Sequence, residues 1–298
     1  MHRLLKIYGV ITSIGMLIVL MQGALVTKTG SGEGCGASWP LCFGEVIPTS
    51  PAIETIIEYS HRVVSGLLGL MVIILAIWAW KKLSHLRETK FLSIMAVFFI
   101  IFQGLLGAGA VVFGQSSAIL ALHFGISSLS LATVVLLTVL AFEDGKQKVP
   151  APLVSKGYRN YVYFVIIYCY LAIYTGAYVK HTHATLACGD FPLCNGQLFP
   201  GLSGPVGAHF MHRVFGIVMF ILIVVLFIIT IKKYKHELTL FYGSIIAFIL
   251  VLGQVISGIS IIYTGNSLVT AMFHALLICL LFTALSYLTM VLFRKPQN

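Results

Sequence analysis

Long apolar runs separated by short polar clusters dominate the chain, and they are too long and too uniform to be one-sided faces of soluble helices. A helix that crosses a bilayer needs about 20 mostly apolar residues. Eight stretches meet that requirement, at roughly 7–27, 60–80, 91–112, 118–142, 160–179, 209–231, 240–262 and 268–292. They predict an all-α integral membrane protein with eight transmembrane helices. The first run passes into the polar stretch GALVTKTG without a small-residue cleavage site, so it reads as helix 1 and not as a cleaved signal segment.

The pattern repeats. EYSHRV (58–63) aligns with HFMHRV (209–214) and QGLLGAGAVVFG (103–114) with QVISGISIIYTG (254–265), both at an offset of 151; His123 and His274 share it. GALVTKT (23–29) aligns with GAYVKHT (176–182), and Cys35 with Cys188, at an offset of 153. The expected organisation is two tandem four-helix bundles, 1–145 and 146–298. Four crossings per half is an even number, so both halves take the same orientation, related by an axis along the membrane normal.

Composition strengthens this picture, with 59% hydrophobic and only 9% charged residues. The net charge of +10 invites a nucleic-acid reading, but its distribution removes it. Of the 19 Lys and Arg residues, 15 fall on the side that holds both termini and the 2–3, 4–5 and 6–7 connections, with Lys146, Lys148 and Lys295 among them. Lys28, Arg62, Lys180 and Arg213 fall on the other side. The positive-inside rule puts both termini in the cytoplasm and the two long connections, 28–57 and 180–208, on the outer face. No basic tail is left over for nucleic acid.

Candidate chemistry sits near the outer helix ends. Five of the ten histidines (His2, His85, His181, His183 and His236) lie in connecting segments and read as solvated surface residues. His61, His123, His212 and His274 lie in even-numbered helices, each with a counterpart in the other half. Polar side chains at membrane depth point to function by default. Alone, each could equally be a hydrogen-bonded interfacial histidine; repetition in both halves favours a shared role. Zinc asks for three or four protein ligands, more than a histidine pair supplies. Haem brings four nitrogens of its own and leaves two axial positions, which facing helices can fill with imidazoles. SGLLGL and GLLGAGA offer small residues for close approach to a flat macrocycle. The pairs expected are His61 with His123 and His212 with His274.

Glu58 lies three residues before His61, on the same helical face, while His209 holds the aligned position in the second half. A partly buried carboxyl there could exchange protons or stabilise positive charge; a solvated first-turn Glu favoured by the helix dipole is the plain alternative. Arg62 and Arg213 suit haem propionates, and equally lipid headgroups. Cys35 with Cys42, and Cys188 with Cys194, share the two outer loops and argue for one disulfide in each. Such a bond is worth about 2.5 kcal/mol for so short a loop. A thiol relay is the alternative, although neither spacing is C-x-x-C. Cys169 and Cys279 read as packing residues.

Taken in order, GALVTKTGSGEGCG, WPLC, EYSHR, QGLLGA, ALHFG, TGAYVKHT, FPLC, HRV and the final His274 resemble the haem A synthase family, in its bacterial form with two cysteine pairs, over nearly the whole chain. The resemblance implies oxidation of the haem O methyl group to a formyl group. It implies His61 and His123 as ligands or close contacts of the substrate haem O, His212 and His274 as axial ligands of a resident haem b, and Glu58 as the acidic residue implicated in catalysis. It also implies the disulfides Cys35–Cys42 and Cys188–Cys194, a bacterial cell-membrane location, and delivery of haem O by direct contact with haem O synthase. No motif names the electron donor.

Two other functions fit parts of the pattern. A di-haem cytochrome b taking electrons from quinol would share the four histidines, and Glu58 set against His209 argues for the enzyme. A transporter of parallel repeats would gather its polar groups at the bilayer midplane, whereas here they gather at the outer ends.

Overall fold

The structure is a computed structural model that describes residues 2–49, 51–145 and 151–294. Lys146, Lys148 and Lys295, which the charge distribution includes, lie outside the described residues. The described residues form eight long helices: α1 (Arg3–Thr29), α2 (Ile53–Leu83), α3 (Thr89–Val112), α4 (Ser117–Glu143), α5 (Lys156–His181), α6 (Gly204–Lys233), α7 (Leu238–Tyr263) and α8 (Leu268–Leu292). All eight are long and apolar enough to cross a membrane. Among the described residues extended pairing is limited to two isolated bridges, Cys42 with Glu45 and Cys194 with Gln197.

Most helices outrun their apolar stretches, because hydropathy marks the depth of lipid while backbone hydrogen bonding continues beyond it. The clearest case is α2, which begins at Ile53 and so takes Glu54, Thr55 and Glu58 into the helix. Side-chain caps begin α4, α5 and α8, where Ser116, Ser155 and Ser267 each accept the N–H three residues on. Gly30 ends α1 in the left-handed conformation (φ 71°), returning its N–H to helix carbonyls.

The chain forms two compact units, Met1–Lys148 and Val149–Asn298. In the first, α1 packs on α2 and α4, and α3 packs on α2 and α4, which closes a ring of four. Ser13 and Thr138 hydroxyls bond at 3.0 Å between α1 and α4, and the Tyr8 hydroxyl donates to Met71 O at 3.2 Å. In the second unit α5 to α8 close a ring in the same neighbour order. Tyr158 and Thr230 share a buried bond of 2.7 Å, and Tyr161 donates to Leu222 O at 2.8 Å. Such interhelical bonds, worth about 0.6–2 kcal/mol each, add to van der Waals packing where lipid removes the hydrophobic drive between helices.

Within SGLLGL and GLLGAGA, Gly66, Leu67, Leu70, Gly104 and Leu105 are exposed. Only part of each stretch, including Gly69 and Gly107, faces a neighbouring helix. His85 is also more than a solvated histidine, since its Nε2 lies 2.9 Å from Asp144 Oδ1, and His2 lies 3.9 Å from the same carboxylate.

Candidate functional site

Each of the four helix histidines rests on a glycine of the helix before it. A Cβ at Gly23 would lie 3.2 Å from His61 Cε1, and one at Gly107 3.4 Å from His123 Cε1. In the second unit the corresponding distances are 2.9 Å from Gly176 to His212 and 3.2 Å from Gly258 to His274. A side chain at any of these positions would crowd or displace the ring. The glycines therefore set where the imidazoles can lie.

In the second unit the His212 and His274 ring centres are 6.4 Å apart with planes at 87°. His212 Nδ1 lies 2.9 Å from the Thr175 hydroxyl, and His274 Nδ1 lies 2.9 Å from the Ser257 hydroxyl. Gln254 Nε2 lies 3.0 Å from His274 Nε2. In the first unit His61 and His123 are near enough to interact electrostatically. Their Nδ1 atoms are buried without a hydrogen-bond partner. Among the described residues no group of three or more His, Cys, Asp or Glu side chains gathers as a bare metal site. The imidazoles come in twos.

Both cysteine pairs are bonded, Cys35–Cys42 and Cys188–Cys194. Cys169 and Cys279 lie outside the two disulfides and are buried in α5 and α8. Each disulfide loop is tied to the helix that carries the first histidine of its unit. Glu58 is 3% exposed, and its Oε2 accepts the Cys35 N–H at 2.8 Å. Its Oε1 accepts from Arg62 Nε at 3.0 Å and from Arg62 Nη2. Arg62 Nη1 donates in turn to Leu41 O at 2.9 Å and Ser38 O at 2.6 Å. Thr55 donates to Gly34 O at 2.6 Å, and the Tyr59 hydroxyl donates to Val46 O. Glu58 is thus neither a solvated first-turn residue nor an isolated buried acid; it is the acceptor at the centre of a loop-to-helix clamp.

The second unit builds the same clamp from other groups. His209 is buried, and its Nδ1 accepts the Cys188 N–H at 3.2 Å, the role that Glu58 Oε2 plays for Cys35. Arg213 Nη1 donates to Asp190 O and Leu193 O, both at 2.7 Å, and Nη2 to Cys188 O at 2.9 Å. Asp190 closes the turn, its carboxylate accepting the Gly196 N–H at 2.9 Å and the Asn195 N–H at 2.5 Å. Those N–H groups, Gly196 foremost, hold its carboxyl below the usual range. Sequence reasoning left His209 without a role; its alignment with Glu58 was the signal available.

The sequence matches the family model described as cytochrome oxidase assembly protein (COX15-CtaA) over residues 6–286. The chain belongs to this family. Its similar relatives include heme A synthase of Halalkalibacterium halodurans, 72% identical with 99% of each chain covered. Heme A synthase of Alkalihalophilus pseudofirmus is 68% identical over the full length of both chains, and that of Shouchella clausii is 58% identical over the full length. In this family context the histidine pairs can be tested against a tetrapyrrole. Two imidazole nitrogens at about 2 Å from one metal, with ring centres ~1 Å further out, ask for centroids ~6 Å apart. The 6.4 Å between His212 and His274 fits that requirement.

Proposed function

We propose that this chain is a haem A synthase, an oxidoreductase that converts the methyl group of haem O to the formyl group of haem A for terminal oxidases. The observation that carries the reading is the paired, glycine-seated imidazoles in each unit, with, among the described residues, a buried carboxylate one helical turn before the first of the pair in the first unit and a buried histidine there in the second. The net change from R–CH3 to R–CHO is a four-electron oxidation that inserts one oxygen atom, so both the oxygen and the terminal oxidant come from outside the chain. The substrate therefore needs an anchor, a proton acceptor and an electron outlet.

His61 and His123 anchor substrate haem O in the first unit. Glu58, one helical turn from His61, is the group assigned to proton transfer, and its bonds to Arg62 and Cys35 N–H fix its orientation. Arg62 and Arg213 brace the loops above the two pairs and can reach an acidic edge of a bound tetrapyrrole only by exchanging some carbonyl partners. His212 and His274 hold haem b in the second unit, where it supplies one-electron transfer. Haem O is too apolar to travel in water, so it arrives within the bilayer from haem O synthase. The protein crosses the bacterial cell membrane with its disulfide loops outside, the side with 4 of the 19 basic residues.

Chromatography of haems extracted from cells that make haem O tests the function directly. Haem A accumulates only when this chain is expressed. Cells that hold haem O and the intact chain yet contain no haem A would reject it.

A further inference from the structure

The two histidine pairs differ in what holds their outer nitrogens. Thr175 Oγ1 donates its single proton to Ala172 O at 2.8 Å, and Ser257 Oγ donates its own to Gln254 O at 3.0 Å. An Nδ1–H on either imidazole, 2.9 Å from its hydroxyl in both cases, finds an acceptor there while the hydroxyl keeps its carbonyl partner. In that arrangement His212 and His274 carry their protons on Nδ1 and keep a lone pair on Nε2. The amide of Gln254, 3.0 Å from His274 Nε2, is a donor suited to such a lone pair.

The first unit has neither hydroxyl. The residue before the ring-seating glycine is Thr175 at Gly176 and Ser257 at Gly258, but Gln22 at Gly23 and Leu106 at Gly107. Gln22 Oε1 and His61 Nδ1 are buried without a partner, and His123 Nδ1 has no side-chain partner, its ring bearing instead on the Gln103 backbone. The hydroxyls one turn along, Ser65 and Ser127, donate to the backbone oxygens of His61 and His123 and not to their rings.

We propose that Thr175 and Ser257 are positioning residues that lock His212 and His274 as Nε2 ligands for a retained haem, and that their replacement by Gln22 and Leu106 lets the first unit exchange its haem. This rests on the reading of the histidine pairs as haem ligands. Hydrogen bonding from a ligand's Nδ1–H fixes its tautomer and plane and strengthens its donation to the metal, and losing such a partner typically costs roughly 10- to 100-fold in affinity. Stronger donation favours the oxidised iron and lowers the reduction potential. A substrate site has the opposite need, because its product must leave.

The test uses the purified full-length protein with its bound haem. Thr175→Val and Ser257→Ala should raise the midpoint potential of haem b and speed its loss to a haem scavenger by roughly tenfold or more. Thr175→Ser, which restores the hydroxyl, should return both values toward the parent, which a purely structural role for the threonine methyl would not. Leu106→Ser should slow haem loss from the first unit only. Unchanged potential and loss rate in Thr175→Val and Ser257→Ala, with His212→Ala and His274→Ala still abolishing haem b, would overturn this inference alone. Retention of haem b in both alanine variants would overturn the ligand assignment beneath it.

Discussion

Gly176→Ala is the most incisive single perturbation of the histidine seats. The added Cβ would lie 2.9 Å from His212 Cε1, 3.4 Å from Nε2 and 3.5 Å from Nδ1. Carbon atoms in good contact stand about 3.5 Å or more apart, so the ring or its helix must retreat by about 0.6 Å. That retreat stretches the 2.9 Å Thr175 bond to the edge of hydrogen bonding. Overpacking of this kind costs about 1–3 kcal/mol. Expressed wholly in haem affinity, at 1.4 kcal/mol per tenfold, it amounts to roughly 5- to 150-fold. Soret titration of the purified variants measures it. Gly176→Ala should lose most, Gly23→Ala and Gly258→Ala less, and Gly107→Ala least, following contact distances of 2.9, 3.2, 3.2 and 3.4 Å. Gly66→Ala and Gly104→Ala place a Cβ in open space on exposed helix faces and serve as controls. Both should be neutral or gain up to about 1 kcal/mol from helix propensity. Wild-type haem affinity in Gly176→Ala, or equal damage from the controls, would refute the seating argument.

Glu58→Gln keeps an acceptor for the Cys35 N–H but ends the ion pair with Arg62, so haem A formation should fall by about 100-fold while haem b stays bound, read by haem chromatography beside the Soret spectrum. Haem b lost with oxidation intact would remove the assigned division of labour. His209→Ala leaves the buried Cys188 N–H without an acceptor and should cost about 1–3 kcal/mol of stability, seen as a lower unfolding temperature of the detergent-solubilised protein. Reducing Cys35–Cys42, or replacing both cysteines with serine, should destabilise the first loop by about 2.5 kcal/mol, measurable as faster proteolysis between α1 and α2. The carboxyl of Asp190 is held below its unfolded range, so its contribution is present above about pH 4 and disappears as pH falls through the folded value. The protection factor of the Gly196 N–H, its exchange rate referred to the intrinsic rate at each pH, should fall over that acid range in the parent and show no such step in Asp190→Asn.

The eight crossings were legible because a bilayer imposes a length on apolar runs, and no tertiary contact is needed to see it. Helix ends were less so: α2 starts at Ile53, well before the long apolar run, in a segment that bonds to the disulfide loop through Thr55 and Gly34 O. The cysteines were readable as loop pairs. The partners of Arg62 and Arg213 were not, because backbone oxygens of Ser38, Leu41, Asp190 and Leu193 leave no mark in side-chain patterns. Propionates and lipid headgroups suit these guanidinium groups, whereas the loops' own carbonyls, with Glu58 on Arg62, engage them in the structure. Thr175 and Ser257 escaped notice because one hydroxyl within a long helix is commonplace. The discriminating sign was relational: a hydroxyl directly before an aligned glycine in one half, and Gln22 or Leu106 in the other.

Those differences bear on why one ground plan would serve two haems. In the first unit the clamp over the histidine helix contains a carboxylate paired with Arg62, a group able to take part in proton traffic, while the rings below are held by glycine seats without an outer hydroxyl. In the second unit a neutral acceptor, His209 Nδ1, replaces the carboxylate, and hydroxyls grip both rings. A site that oxidises its ligand has to hold a proton acceptor near the reacting edge and still release the product. A site that relays electrons gains from fixed ligands and loses from a nearby group that changes charge, since each protonation would shift its potential. The substitutions Glu58 for His209, Gln22 for Thr175 and Leu106 for Ser257 run in the direction each task requires, so transplanting them should convert one behaviour toward the other. A first unit carrying Leu106→Ser should retain product haem longer and turn over more slowly at unchanged Glu58. Faster turnover in that variant would show that ring mobility does not govern release.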